Sequence, residues 1–230
     1  MTTVIKVARY HLVQRFPYLV LPWAVLLMVF VINVVIVALT PVGHGPTREV
    51  GGLASIFVVL YVLGLLSVAR SLPFGLALGV SRRTYYRGTA LLAVVLAAVD
   101  GLGVAVLQVI ERATGGWGLH LGFFRLPYIL QGPWYLTWLT SFVDLALLFV
   151  YGMWSGLVYR RWNLVGLFGF LAIQATVVLF GALVATSAHA WPSIGHFFTS
   201  LSASGLTGIL AAVAAVLLTG GFATMRHVTV

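Results

Sequence analysis

The sequence predicts an all-α integral membrane protein with six transmembrane helices. Of its 230 residues, 61% are hydrophobic and only 7% are charged, whereas about a quarter of the residues in a typical soluble domain are charged. The mean hydropathy of +1.09 agrees with this class. A helix needs about 20 apolar residues to cross the hydrocarbon core of a bilayer, and residues 1–230 form a single transmembrane domain with six such runs. The runs are 17–40, 51–69, 88–110, 134–159, 163–186 and 203–222.

Residues 1–16 precede the first run, and their pattern predicts a helix that lies in the membrane interface. Ile5, Ala8, Leu12 and Phe16 recur at helical spacing among basic residues, which is typical of an amphipathic helix at a membrane surface. Pro17 then turns the chain into the bilayer. The alternative is a basic tail that only sets the orientation. Because the first run is too long for a signal-peptide core and lacks a small-residue cleavage site, we expect it to be retained.

Lysine and arginine are distributed unevenly between the two sides of the six runs, and cytoplasmic loops carry the excess of these residues. Because the number of runs is even, both termini lie on one side, together with segment 71–87. That side holds ten basic residues and the other holds three. We therefore expect both termini and segment 71–87 to be cytoplasmic. The ten are Lys6, Arg9, Arg15, Arg70, Arg82, Arg83, Arg87, Arg160, Arg161 and Arg226, and the three are Arg48, Arg112 and Arg125.

The formal net charge of +9 does not indicate nucleic acid binding, because the charges lie at the ends of apolar runs rather than on one face of a soluble fold. Anionic lipid head groups and acidic protein surfaces are the expected partners. The sequence contains no cysteine, which excludes disulfides and thiolate metal sites. We expect no metal site elsewhere, since His189 and His196 lie seven residues apart without a third ligand nearby.

Segment 71–87 is strongly basic and also has the pattern of folded structure. Ser71 is placed to cap a short helix with Pro73 in its first turn, and Gly79 to end it. Phe74 and Leu78 are four residues apart and share one face of that helix.

Ser81 is placed to cap the third transmembrane helix, whose first two turns carry Arg82, Arg83 and Arg87. Positive charge is unfavourable at a helix N-terminus, so we expect lipid phosphate or an acidic partner surface to compensate for it. The neighbouring residues Tyr85 and Tyr86 suit the membrane interface. The alternative is that these arginines only enforce topology.

Residues 79–88, GVSRRTYYRG, match the pattern Gly-x-Ser/Thr-Arg-x-x-aromatic-x-x-Gly. The matching residues are Gly79, Ser81, Arg82, Tyr85 and Gly88. In this pattern and in its plan of six spans, the chain resembles the permease subunits of bacterial type-2 ATP-binding cassette exporters. The resemblance implies that segment 71–87 is a coupling loop that docks on a separate ATPase subunit. The docking residues would be Pro73, Phe74, Leu78, Gly79, Ser81, Arg82, Arg83, Tyr85, Arg87 and Gly88.

The resemblance also implies a location in the bacterial cytoplasmic membrane and a second permease copy, identical or not. ATP and Mg would be bound by the ATPase subunit, present in two copies. The sequence agrees, because a phosphate-binding Walker A loop needs a Gly-Lys pair and the sole lysine, Lys6, has no such neighbours. The chain itself is therefore expected to need no cofactor and to have no catalytic residue. Its apolar spans favour a lipid-like, peptide or amphipathic drug-like substrate.

Four of the polar residues inside the apolar runs are candidates for a polar site, at a depth where an ionisable side chain costs about 2.5–3.5 kcal/mol on insertion scales. Asp100 and Asp144 have no lysine or arginine at comparable depth. With Gln174 they could line a polar route, or they could be structural interhelical hydrogen bonds. Asn33 in the first run is expected to bond a neighbouring helix. The alternative functions are a secondary carrier that uses Asp100 and Asp144, and a membrane scaffold or sensor that transports nothing.

Two apolar segments between the runs are too irregular to cross a membrane. Residues 111–133 are rich in aromatic side chains and are expected to lie in the outer interface. The alternation at 117–123 would also be compatible with a strand. We disfavour it because an isolated strand would leave backbone groups unsatisfied in lipid. Residues 187–202 are expected to re-enter the outer leaflet before the last helix. Gly152 and Gly156 form a GxxxG pair that predicts close helix packing or is coincidental in a chain with 25 glycines.

Overall fold

The computed structural model describes residues 16–40, 48–125 and 133–225, which are helical over most of their length. The expected interfacial helix at 1–16 lies outside the described residues, apart from Phe16. The helices are α1 (Leu21–Leu39, continuing a π-helical turn at Phe16–Val20), α2 (Ala54–Ala69, after a 3-10 turn at Gly51–Leu53), α3 (Ser71–Ala77), α4 (Arg82–Ala113), α5 (Trp134–Ser187), α6 (Trp191–Ser200) and α7 (Ala203–Met225).

Five of these helical segments are long and apolar enough to cross a membrane. This agrees with the predicted class, an all-α membrane protein. The five segments are Phe16–Leu39, Gly51–Ala77, Arg82–Ala113, Trp134–Ser187 and Ser204–Phe222.

The fourth of them, α5, combines the fourth and fifth predicted runs and folds back on itself. A straight helix of its 54 residues would be about 80 Å long at a rise of 1.5 Å per residue, far more than the roughly 30 Å of a hydrocarbon core. Asn163 has non-helical backbone angles, φ 56° and ψ −153°. The Tyr151 hydroxyl donates a hydrogen bond to Gln174, and the Tyr151 and Phe170 rings lie 6.2 Å apart. These contacts require a first arm, 134–162, and a second arm, 164–187, that lie side by side.

Glycines bring the backbones of α2 and the first arm into contact. A Cβ atom on Gly64 would overlap the carbonyl oxygen of Phe149. On the first arm, a Cβ atom on Gly152 would overlap the carbonyl oxygen of Tyr61, and one on Gly156 would lie 2.7 Å from the carbonyl oxygen of Leu65. The GxxxG pair is therefore a packing feature of this fold and not a coincidence of composition.

The bundle has two chemically different ends. Six arginines lie where α2 ends, α4 begins and α5 folds back, and we call this the arginine-rich end: Arg70, Arg82, Arg83, Arg87, Arg160 and Arg161. The opposite end holds the last turns of α4 and the start of α5. The sequence has four acidic residues, and none is at the arginine-rich end, because Asp100 and Asp144 lie within helices and Glu49 and Glu111 lie at the opposite end.

Candidate docking surface

The short helix α3 is held against the bundle by Tyr85 of α4. The Tyr85 hydroxyl donates a hydrogen bond of 2.6 Å to the carbonyl oxygen of Ser67 in α2. Its ring lies under Gly75, where a Cβ atom would come within 2.7 Å of the ring. Tyr85 is therefore buried within the protein, at 1% exposure. Its place is set by α3, which covers the ring.

The ends of α3 and the start of α4 follow local sequence chemistry with one exception. Gly79 adopts a left-handed conformation with φ 80°, and its N–H donates to the carbonyl oxygen of Leu76 at 2.9 Å, so it ends the helix as predicted. Ser81 caps α4 as predicted, because its hydroxyl oxygen accepts from the Thr84 N–H at 3.2 Å. Ser71 does not cap α3, since the residue before the helix, Arg70, is itself helical and forms no side-chain cap.

The predicted docking residues divide into an exposed and a buried group. Phe74 is 52% exposed and Leu78 is 64% exposed, at the end of the bundle that carries the arginines. Tyr85 and Gly88 are buried and could not contact a docked partner directly. The remaining members are exposed or partly exposed, and these are Pro73, Gly79, Ser81, Arg82, Arg83 and Arg87.

Contacts with α7 complete the arginine-rich end. The Tyr86 hydroxyl donates to the carbonyl oxygen of Leu218 at 2.8 Å, and the Trp154 indole donates to that of Leu217 at 2.9 Å. The Arg87 guanidinium lies 5.6 Å from the centre of the Phe222 ring. Tyr86, like Tyr85, is buried within the protein. This end of the bundle is thus a fixed platform of α2, α4, α5 and α7.

Asp100 is a buried carboxylate shared between α4 and α1. It is 1% exposed, and its Oδ1 accepts a hydrogen bond of 2.9 Å from the Trp23 indole N–H. The indole fits there because Gly103, one turn further along α4, has no side chain in its way. The other oxygen, Oδ2, is buried without a hydrogen-bond partner among the described residues. Asp100 therefore joins two helices and retains one unused acceptor.

The other intramembrane polar residues do not gather around Asp100. In the part of the chain that the structure describes, no hydrogen bond or ion pair links Asp144 to Asp100 or Gln174. Gln174 accepts a hydrogen bond from Tyr151, across the fold-back of α5. The amide of Asn33 donates to the carbonyl oxygen of Val29 in its own helix at 2.8 Å, rather than to a neighbouring helix as expected.

Glu111 is a buried acidic residue that the sequence did not single out. Its Oε2 accepts hydrogen bonds from the backbone N–H groups of Phe123 and Phe124, at 2.9 and 3.0 Å, and from the Trp117 indole at 3.1 Å. Arg125 lies 3.7 Å from Oε1. One carboxylate thus fastens the segment after α4 over the end of the bundle. The sequence signal was that a scarce acidic residue precedes a glycine- and aromatic-rich segment.

The segment that Glu111 holds packs apolar side chains into the end of the bundle, and residues 126–132 of the predicted interfacial segment lie outside the described residues. Leu121 and Phe123 are completely buried, and Phe30 of α1 packs edge-on against Phe123 with ring centres 5.2 Å apart. A short strand, β2 (Leu121–Gly122), pairs in parallel with β1 (Arg48–Glu49). The disfavoured strand is present because β1 supplies the backbone partner that an isolated strand would lack.

Gln108 adds a second polar link at this end. Its side-chain amide donates to the carbonyl oxygen of Phe124 at 3.2 Å, and its oxygen accepts from the Thr137 hydroxyl at 2.8 Å.

Beyond the second arm, α6 lies within the segment expected to re-enter the membrane, and its Trp191 and Phe198 are exposed.

The chain was compared with protein-family models, with curated proteins and with solved structures, and no match was found in any of the three. The resemblance to exporter permeases therefore stays a prediction from the motif and the plan of spans.

Proposed function

We propose that this chain is the membrane subunit of an exporter driven by a separate ATPase, and that α3 with the surrounding arginines is the surface on which the ATPase docks. The observation that carries the proposal is the way in which α3 is fixed against the bundle on one side and exposed on the other. Tyr85 fixes the buried side of the helix, while Phe74 and Leu78 are left largely exposed on its outer side. A rigid helix with exposed apolar side chains is suited to transmit movement between two subunits.

The charge distribution also supports docking of a partner at this surface. Arg82, Arg83 and Arg87 lie in the first two turns of α4, where the helix dipole makes positive charge unfavourable. No aspartate or glutamate lies at this end among the described residues. An acidic partner surface would offset the dipole and the repulsion between the arginines, and charge complementarity of this kind speeds association and selects the partner.

The proposed placement has six crossings, two of them the arms of α5. The arginine-rich end then faces the cytoplasm of a bacterium, together with both termini. Residues 187–202, including α6, would enter the outer leaflet, and residues 1–16 would lie along the inner interface. The functional unit would contain two copies of this chain, or one and a related chain, and two ATPase subunits that bind ATP and Mg. Its substrate would be a lipid-like, peptide or amphipathic drug-like molecule.

The test is co-purification with the ATPase that an adjacent reading frame would encode. The double substitution Phe74→Ala and Leu78→Ala removes the exposed apolar side chains, and we expect it to abolish co-purification and substrate-stimulated ATPase activity. Phe180→Ala is the matched control, because Phe180 is an apolar residue of the second arm with 67% exposure. If the double variant co-purifies as well as the control does, α3 is not the docking surface.

A secondary carrier is the second candidate, and the unused oxygen of Asp100 favours it. A buried carboxylate in a membrane span with an unsatisfied acceptor is a possible proton site. A carrier would transport in vesicles that contain this chain alone and a proton gradient, and Asp100→Asn would stop it. Transport that requires an ATPase and survives Asp100→Asn would exclude the carrier.

A further inference from the structure

A cavity of about 340 Å³ opens between α2 and the two arms of α5, and we call it the α2–α5 groove. It extends about 10 Å along α2, from Ala54 to Tyr61, at 1.5 Å per residue. One wall is formed by Ala54, Phe57 and Tyr61 of α2, the floor by Leu148 and Tyr151 of the first arm, and the opposite lip by Leu171 of the second arm.

The groove exists because the two arms of α5 approach α2 differently. The first arm is in backbone contact with α2 at Gly152 and Gly156. The second arm is linked to the first through Tyr151, which contacts Phe170 and Gln174. The second arm thus lies beside the first without closing on α2, and a gap remains between α2 and Leu171.

The surface of the groove is hydrocarbon, although two tyrosines line it. The Tyr61 hydroxyl donates to the Ser155 hydroxyl at 3.1 Å, and the Tyr151 hydroxyl donates to Gln174. Both hydroxyls are therefore occupied within the protein, and the rings, which lie 5.5 Å apart, present carbon atoms to the cavity. Water needs two to four polar partners to occupy a cavity, and this groove does not provide them.

We propose that the α2–α5 groove binds one acyl chain of a phospholipid from the surrounding bilayer. The groove lies within helices that are long and apolar enough to cross a membrane, so hydrocarbon chains are its neighbours. An empty gap would forfeit dispersion contacts along both walls, and its volume lies within the roughly 300–1,000 Å³ of ligand sites. The proposal depends on the membrane placement and not on an ATPase partner.

The test is photochemical labelling of the full chain in phosphatidylcholine vesicles. A small fraction of the phospholipid carries a diazirine in the middle of one acyl chain, and adducts are located by peptide mass mapping after illumination. We expect the adduct yield at Leu148 and Leu171 to exceed that at Val177 and Phe180 by about fivefold, which corresponds to about 1 kcal/mol. Val177 and Phe180 are exposed apolar residues of the second arm and report ordinary lipid contact.

Two variants with added bulk provide the control. Leu148→Trp fills the groove and should reduce the adducts at Leu171 about fivefold, whereas Val178→Trp, on the exposed side of the second arm, should not. If Leu148→Trp fails to fold, Ala54→Trp at the rim replaces it.

Three results would overturn the proposal. The first is an equal adduct yield in the groove and on the second arm, which would mean ordinary lipid contact only. The second is an absence of lipid adducts at Leu148 and Leu171, which would mean that protein and not lipid covers the groove. The third is an unchanged yield of Leu171 adducts in Leu148→Trp, which would mean that these adducts do not depend on the groove.

Discussion

Replacing Tyr85 by phenylalanine should loosen α3 without unfolding the bundle. The substitution keeps the ring beneath Gly75 and removes only the hydroxyl, which donates a buried hydrogen bond to the carbonyl oxygen of Ser67. A hydrogen bond of this kind contributes about 0.5–1.5 kcal/mol net. At 1.36 kcal/mol per factor of ten, the loss of about 0.5–1.5 kcal/mol makes local opening of α3 about 2- to 13-fold more frequent.

Hydrogen exchange measures this opening directly. The reporters are the amides of Leu78 and Val80, which bond to the carbonyl oxygens of Phe74 and Gly75 at 3.1 Å. We expect their exchange in Tyr85→Phe to be about 2- to 13-fold faster than in the unmodified chain.

Tyr86→Phe is the matched control, because the Tyr86 hydroxyl bonds the carbonyl oxygen of Leu218 in α7 instead. It should speed exchange at the end of α7 and leave α3 unchanged. Unchanged exchange in α3 of Tyr85→Phe, or equal effects of the two substitutions on α3, would refute the role given to Tyr85.

Three further substitutions test the packing. Gly152→Leu forces a side chain into the carbonyl oxygen of Tyr61 and should prevent recovery of monodisperse protein in size-exclusion chromatography, whereas Gly169→Leu, where the space is open, should not. Glu111→Gln removes the charge that three N–H donors share. Because hydrogen bonds to charged groups contribute about 1.5–3 kcal/mol, the substitution should expose 115–125 to proteolysis. Resistance to proteolysis equal to that of the parent protein would contradict this role of Glu111. Asn163 has a backbone conformation that costs about 1–3 kcal/mol in residues other than glycine. Asn163→Gly should therefore raise the melting temperature, whereas Asn163→Ala should lower it. The reverse order of melting temperatures would show that the backbone at Asn163 is not strained.

The sequence predicts those features that depend on neighbouring residues. The long apolar helices, the end of α3 at Gly79 and the Ser81 cap each follow from a few adjacent side chains, and the structure has all three features. The fold-back of α5 at Asn163 also lies where Arg160, Arg161 and Trp162 separate two runs.

The features that the sequence does not predict depend on residues far apart in the chain. Asp100 bonds Trp23, 77 positions away, and no periodicity in either helix indicates that pairing. Glu111 accepts from backbone groups 12 and 13 residues later, which requires the chain to return over the end of α4. Tyr85 is buried for the same kind of reason, since only the folded position of α3 covers it.

Site-specific photo-cross-linking in the native host tests the docking surface most directly. A photoreactive amino acid replaces Phe74 in one strain and Phe180 in another, and the cross-linked products are identified by mass spectrometry. We expect the Phe74 probe to capture a protein with a Walker A motif and the Phe180 probe to capture none. If the Phe74 probe reacts only with lipid, or captures the same proteins as the Phe180 probe, α3 does not bind an ATPase.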